Sequence, residues 1–190
     1  MTADMPSDWS GGTALVVVDV QKGLDDTSYW GHRNNPDCET NIVALIAEWR
    51  DHGWPIVFVR HNSTNPLSPL RPGQAGNEFK DEITGEPDLL VTKSVHSAFE
   101  GDPSLHEWLQ SRGVTGIAVC GIQTNFCCET TARQGSDLGY DVLFVLDATY
   151  TFDRPALDGI MMRARDLARV TATNLNEEFA TVVNTRDLLA

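Results

Sequence analysis

The chain has 190 residues, 41% of them apolar, and sets 14 Lys and Arg against 27 Asp and Glu for a formal charge of −13. Single hydrophobic cores stop growing near roughly 250–300 residues, so this length excludes a second large module, and the composition predicts one globular core. The acidic field repels phosphate, which excludes non-specific nucleic-acid binders and argues against nucleic acid and anionic membranes as partners.

Residues 1–12, MTADMPSDWSGG, read as an N-terminal extension with neither the basic n-region nor the apolar h-region of a signal peptide, so a cytoplasmic location is expected. The longest apolar runs, 14–18 and 42–47, fall far short of the roughly 18–20 residues of a membrane span. Residues 13–190 form the expected domain, in which β-branched runs alternate with helical spacing. A strand is predicted over 13–20, TALVVVDV, then a helix over 38–52 with Ile42, Leu45, Ile46 and Trp49 on one face and Gly53 as its stop. PIVFVR, 55–60, is the second strand. The stretch 61–87, carrying Pro66, Pro69, Pro72, Gly73, Gly76 and Gly85, predicts a pocket wall or lid, and its Arg71 and Lys80 read as solvated cations. A short strand over 88–92, a helix over 103–112, a strand over 115–121 and a helix over 124–138 follow. The chain closes with a strand over 140–146, a helix over 155–174 with Pro155 in its first turn, and a strand over 180–184. Helices between successive strands predict an α/β fold: a doubly wound, mainly parallel six-stranded sheet with helices on both faces. Ligands of such sheets bind beyond the carboxyl ends of the strands, where strand order reverses.

Three residues near such ends could do chemistry. Asp19 interrupts an apolar run, where an unpartnered carboxylate costs several kcal/mol; it is either a base or a buried hydrogen-bond acceptor. Cys127 falls in the first turn of the helix over 124–138, where free amides and the helix dipole favour thiolate, with plain core packing as the alternative. Lys93, just past the third strand, is either their cation or a surface lysine. A carboxylate, a cation and a thiol are complementary parts of one covalent mechanism. Cys38, Cys120, Cys127 and Cys128 suggest neither a disulfide scaffold nor a zinc finger.

The run CGIQTNFCCETTAR, 120–133, resembles the nucleophile segment of the isochorismatase-like cysteine hydrolase family, which includes nicotinamidases, N-carbamoylsarcosine amidases and ureidoacrylate amidases. VVVDVQKGL, 16–24, is similar to that family's first strand, and KSVHSAF, 93–99, to its Lys-x-x-x-Ser-Ala-Phe segment. The likeness spans about residues 13–184. It implies Asp19, Lys93 and Cys127 as catalytic residues of a hydrolase that cleaves an amide, carbamoyl or lactam C–N bond through a thioester. It also implies a cis peptide between Ile122 and Gln123, and an oxyanion hole from the backbone N–H groups of Gln123 and Cys127. Successive helical residues point about 100° apart, so Cys128 is expected in packing. The family's habit of forming a homodimer or homotetramer carries over as an expectation. Nicotinamidases of this family have an Asp-x-His metal element, which RHNST, 60–64, lacks, so neither a metal nor another cofactor is expected.

Gln21, Trp30, His61, His96 and Phe99 are candidate substrate contacts. Four of them have a plainer alternative: Gln21 could orient Asp19, His61 could bond to backbone at a strand end, and Trp30 and Phe99 could be packing. Two other functions stay open, a vinyl-ether hydrolase of isochorismatase type, which uses no cysteine nucleophile, and a non-catalytic thiol redox or ligand-binding protein.

Overall fold

Side chains along a strand alternate between the two faces of its sheet, and the buried residues here divide on that rule. Leu15, Val17, Phe58, Cys120 and Val145 pack on one face, and Val16, Val18, Val57, Val119 and Phe144 on the other. The structure, a computed structural model, describes residues 12–189, so the expected N-terminal extension lies outside the described residues apart from Gly12. The strands are β1 Thr13–Val18, β2 Ile56–His61, β3 Leu89–Lys93, β4 Gly116–Ile122, β5 Asp141–Tyr150 and β6 Thr181–Val183. They pair all in parallel in the order β3-β2-β1-β4-β5-β6. The main helices are α1 Cys38–Asp51, α2 Leu105–Ser111, α3 Glu129–Asp137 and α4 Ala164–Leu175.

Both faces are covered as expected for a parallel sheet. Ile42, Leu45, Ile46 and Trp49 of α1 fill one layer, and Leu105, Leu109, Ala132 and Leu175 of α2, α3 and α4 fill the other. The Trp49 indole N–H, fully buried, donates to the Thr13 carbonyl at 3.0 Å and so fixes α1 to the start of β1. The chain winds outward from β1 through β2 to β3, then returns to β4 on the other side of β1. The carboxyl ends of β1 and β4 therefore flank the point where strand order reverses.

Those ends meet closely at Gly121, whose φ is +120°. A Cβ there would lie 2.0 Å from the Val18 carbonyl oxygen, so only glycine lets β4 pass β1 at this register.

Several elements differ from the sequence expectation. The helix expected over 155–174 begins only at Ala164, whose N–H donates to Asp153 Oδ1 at 2.7 Å. Arg154–Pro155 and Met161–Met162 instead form a small hairpin, turned at Asp158-Gly159 with Gly159 at φ +82°. An Asp-Gly pair is a hairpin signal that outweighs the helical spacing on either side. The helix expected over 124–138 opens with one wide turn, Thr124–Cys128, in which the Cys128 N–H reaches back five residues to the Gln123 carbonyl at 3.2 Å. β5 continues past 146 to Tyr150 across a register shift.

The long segment after β2 is not a free loop. Phe79 bridges Gln21, the Lys22 N–H donates to Glu78 O at 2.9 Å, and the Lys80 N–H donates to Val20 O at 3.0 Å. Lys80, expected in solvent, is 4% exposed and pairs with Asp25 at 2.5 Å and Glu39 at 2.6 Å. Its partners come from distant segments, which local sequence could not indicate.

Gly121→Ala should destabilise the protein by more than the about 1–3 kcal/mol of an unfavourable backbone conformation alone, because the overlap with Val18 adds to it. Urea unfolding of the variant reads the loss directly; an unchanged midpoint would contradict the close approach of β1 and β4.

Candidate active site

β1 ends at Val18, and the next residue, Asp19, takes the left-handed conformation at φ +53°. Asp tolerates that region better than most residues, which suits it to a turn out of a strand. Its N–H stays on the sheet, donating to Val59 O at 2.9 Å, while its side chain is buried. Lys93 is the last residue of β3, paired in register with His61, the last residue of β2. Its stem reaches past the end of β2 to put Nζ 2.6 Å from Asp19 Oδ2, with side-chain exposures of 0% and 3%.

Cys127 approaches from the other half of the sheet, on the wide turn after β4, and the Ile122–Gln123 peptide before that turn is cis. Donor atoms of Asp19, His61 and Cys127 lie within 4.8 Å of one another. Cys128 is fully buried in the same core cluster as Val16, Val18 and Val119, and Cys38 and Cys120 are equally buried. Of the four thiols only Cys127 has partial exposure.

The electrostatics reverse one expectation. The helix end was expected to hold Cys127 as thiolate; instead burial, with the Asp19 carboxylate, pushes the thiol well above the usual cysteine range and outweighs Lys93. Burial opposes the Lys93 charge, but Asp19 and the Cys127 sulfur more than offset it and hold the ammonium above the ordinary lysine value. His61 is pushed down by burial and by Lys93, so its ring is neutral near pH 7. Asp19 Oδ1, by contrast, is buried without a hydrogen-bond partner, as only Arg60 Nε is among the other described side-chain N and O atoms. The cluster at rest thus sets a protonated Cys127 thiol and the Lys93 ammonium beside Asp19.

A cavity of about 210 Å³ opens onto this cluster, with Asp19, His61, Gln123 and Cys127 at its base. Leu24, Trp30, Leu70, Ile122 and Phe126 make its walls. Trp30 stacks on Phe152 at 5.6 Å and donates its indole N–H to the Gly23 carbonyl at 2.8 Å, which fixes the wall. His96 is exposed at the rim, edge-on to Phe126 at 5.9 Å.

Two candidates do not reach the cavity. Phe99 lies in the core, stacked on Tyr140 at 5.7 Å and against Gly135, because the turn begun at Ser97 directs it toward α3. Gln21 is fully buried, and its amide is committed to backbone: Oε1 accepts the His61 N–H at 2.8 Å, and Nε2 donates to the His61 and Asn77 carbonyls at 3.0 and 2.9 Å. Sequence reasoning missed Leu24, Leu70 and Phe126. Phe126 adjoins Cys127 and could have been inferred; Leu24 and Leu70 come from loops whose paths are set by long-range contacts.

Asp19, His61 and Cys127 offer the donor types of a metal site. Lys93 already stands among them, 2.6 Å from Asp19 and 3.3 Å from His61 Nδ1, and supplies the positive charge that a metal would bring. The donor set therefore suits proton transfer better than metal binding.

Fold and cluster define a doubly wound α/β protein with a cysteine-centred site at its switch point. Residues 13–183 match the Isochorismatase domain, and the chain belongs to the isochorismatase family of hydrolases. It is 32% identical over 163 residues to Nicotinamidase 3 of Arabidopsis thaliana, covering 78% of each chain. The crystal structure of an isochorismatase-family protein from Chromobacterium violaceum superposes with a TM-score of 0.90 at 32% identity, covering 99% of this chain and 96% of that one. A cysteine hydrolase from Pseudomonas syringae pv. phaseolicola superposes at 0.83 with 27% identity, covering 93% and 90%.

Lys93→Met should destabilise the fold by about 3–5 kcal/mol by leaving a buried carboxylate alone, and adding Asp19→Asn should restore much of that loss. Equal urea midpoints for wild type and Lys93→Met would contradict a dry ion pair. In the native protein iodoacetamide should label Cys127 and spare Cys38, Cys120 and Cys128. Because the thiol is raised, that rate should still be climbing beyond the ordinary cysteine value of about 8.5, whereas a plateau below neutral pH would mean a preformed thiolate.

Proposed function

We propose that the protein is a cysteine-dependent hydrolase that cleaves the C–N bond of a small amide, carbamoyl compound or lactam through a thioester on Cys127. The observation that carries this reading is a buried Asp19 side chain set between the Lys93 ammonium, which holds Oδ2, and the protonated Cys127 thiol. A carboxylate next to a raised thiol is a general base waiting for its proton.

Asp19 takes the Cys127 proton while Lys93 balances the charge that passes to sulfur. The thiolate attacks the carbonyl carbon, and the N–H groups of Gln123 and Cys127 receive the developing oxyanion, an arrangement worth a few kcal/mol in acyl transfer. Asp19 returns the proton to the leaving nitrogen as the C–N bond breaks, releasing ammonia or an amine and leaving the acyl group on sulfur. Asp19 then accepts a proton from water as that water attacks the thioester, and the acid departs with the thiol restored.

A cavity of about 210 Å³ lies below the about 300–1,000 Å³ usual for ligand pockets, which points to a small substrate. Its walls favour a flat or apolar body with the amide directed at Cys127. Likeness to a nicotinamidase and to a cysteine hydrolase supports the amide and the thiol in this reading. A redox thiol needs no carboxylate and lysine beside it, whereas Asp19 and Lys93 both stand at Cys127.

Primary amides, N-carbamoyl compounds and lactams should be screened for ammonia or amine release with wild type, Cys127→Ala and Cys128→Ala. Loss of at least about 10³-fold is expected for Cys127→Ala, with Cys128→Ala close to wild type. Turnover that survives in Cys127→Ala would overturn the assignment.

A further inference from the structure

His61 lies in the cavity base, yet both of its ring nitrogens are already engaged. Nδ1 is 3.3 Å from Lys93 Nζ. An ammonium only donates, so Nδ1 must present a lone pair and the ring is the neutral Nε2–H tautomer. That leaves Nε2–H as the ring's donor, and the Val95 backbone supplies a hydrogen bond to the ring. The backbone of His61 is held just as closely: Gln21 accepts its N–H at 2.8 Å, and Gln21 and Asn77 both donate to its carbonyl at 3.0 Å. Gln21 is fully buried and Asn77 is 8% exposed, so two core amides serve to fix one strand-end residue.

We propose that neutral His61 is a positioning residue for Lys93: its clamped Nδ1 takes one ammonium proton, which leaves the other two directed at Asp19 Oδ2 and the Cys127 sulfur. Lys93 Nζ bonds Asp19 Oδ2 at 2.6 Å, lies 3.3 Å from His61 Nδ1 and has the Cys127 sulfur as its third neighbour, so each of its three donors has a group to meet. Without an acceptor at Nδ1 the ammonium can rotate or tilt, and the charge stabilising the thiolate loses its fixed place. This inference rests on Cys127 and Asp19 as nucleophile and base.

A pH dependence follows. The groups facing the ring are Lys93 from β3, Asp19 after β1, His96 from the segment after β3, and Cys127 from the turn after β4. The neighbouring Arg60 on its own strand stacks on Phe79 at 4.7 Å. Protonating His61 would set an Nδ1–H against the Lys93 ammonium, removing the acceptor and adding a like charge. Activation of Cys127 should therefore fail as pH drops through the His61 value, which burial and Lys93 hold below 6.5.

Nitrogen-15 NMR of histidine-labelled wild type should find His61 as the Nε2–H tautomer at neutral pH, titrating below 6.5. An Nδ1–H tautomer, or a midpoint at or above that value, would overturn the proposal without any variant having to fold. Iodoacetamide alkylation of Cys127 at neutral pH, followed by mass spectrometry, is the second arm. His61→Asn can offer Oδ1 to Lys93 and should stay within about threefold of wild type, whereas His61→Leu should slow alkylation about 10- to 100-fold, the scale for partners that orient a functional group. Equal rates for His61→Leu and wild type would also overturn it. Neither arm needs turnover, so an empty substrate screen would count against the amide reading and leave this one standing.

Discussion

A carboxylate and an ammonium held 2.6 Å apart, almost without access to water, are the arrangement around which this protein is organised. Removing both ions from water costs several kcal/mol each, and their attraction offsets that only when geometry is good and the remaining donors and acceptors are satisfied. Lys93 meets the condition, with Asp19, His61 and Cys127 around its three protons. Asp19 does not, because Oδ1 has no partner. A core selected for stability alone would fill that oxygen or replace the pair with apolar side chains. The unsatisfied atom marks where the fold gives up stability, on a residue that lines the cavity holding the thiol.

The parallel sheet makes the pair reachable. Reversal of strand order between β1 and β4 brings Asp19 from one half of the sheet to Cys127 from the other, and Gly121 allows the two strands to approach without a side chain between them. Leu24, Trp30, Leu70 and Phe126 then give the meeting point apolar walls. An apolar surround strengthens the interaction between Asp19 and Lys93 and, for the same reason, disfavours a resting thiolate. Both effects leave the Cys127 thiol protonated at rest.

Much of this was legible in the chain itself. The β-branched runs located all six strands, since parallel strands buried on both faces read as continuous apolar segments, and Asp19, Lys93 and Cys127 stood out by their places at strand and helix ends. What escaped depended on contacts between distant segments. Lys80 looked solvated because its partners Asp25 and Glu39 lie on other segments, and Phe99 looked like a substrate contact because the direction of the turn after Ser97 is decided by Tyr140 and Gly135. The helix over 155–174 shortened because Asp158-Gly159 supplied a turn inside helical spacing. The helix end at Cys127 was legible in the sequence, but the burial and the Asp19 neighbour that push its thiol up were not, because they depend on how distant strands pack.

Hydroxylamine offers the most direct test of a covalent thioester at Cys127, because it intercepts acyl groups on sulfur. During turnover of a primary amide by the wild-type protein, hydroxamate should form in proportion to added hydroxylamine, at the expense of the free acid and without slowing ammonia release. Ammonia release with the acid as sole product, whatever the hydroxylamine concentration, would contradict a sulfur-bound intermediate and with it the roles given to Asp19 and Lys93.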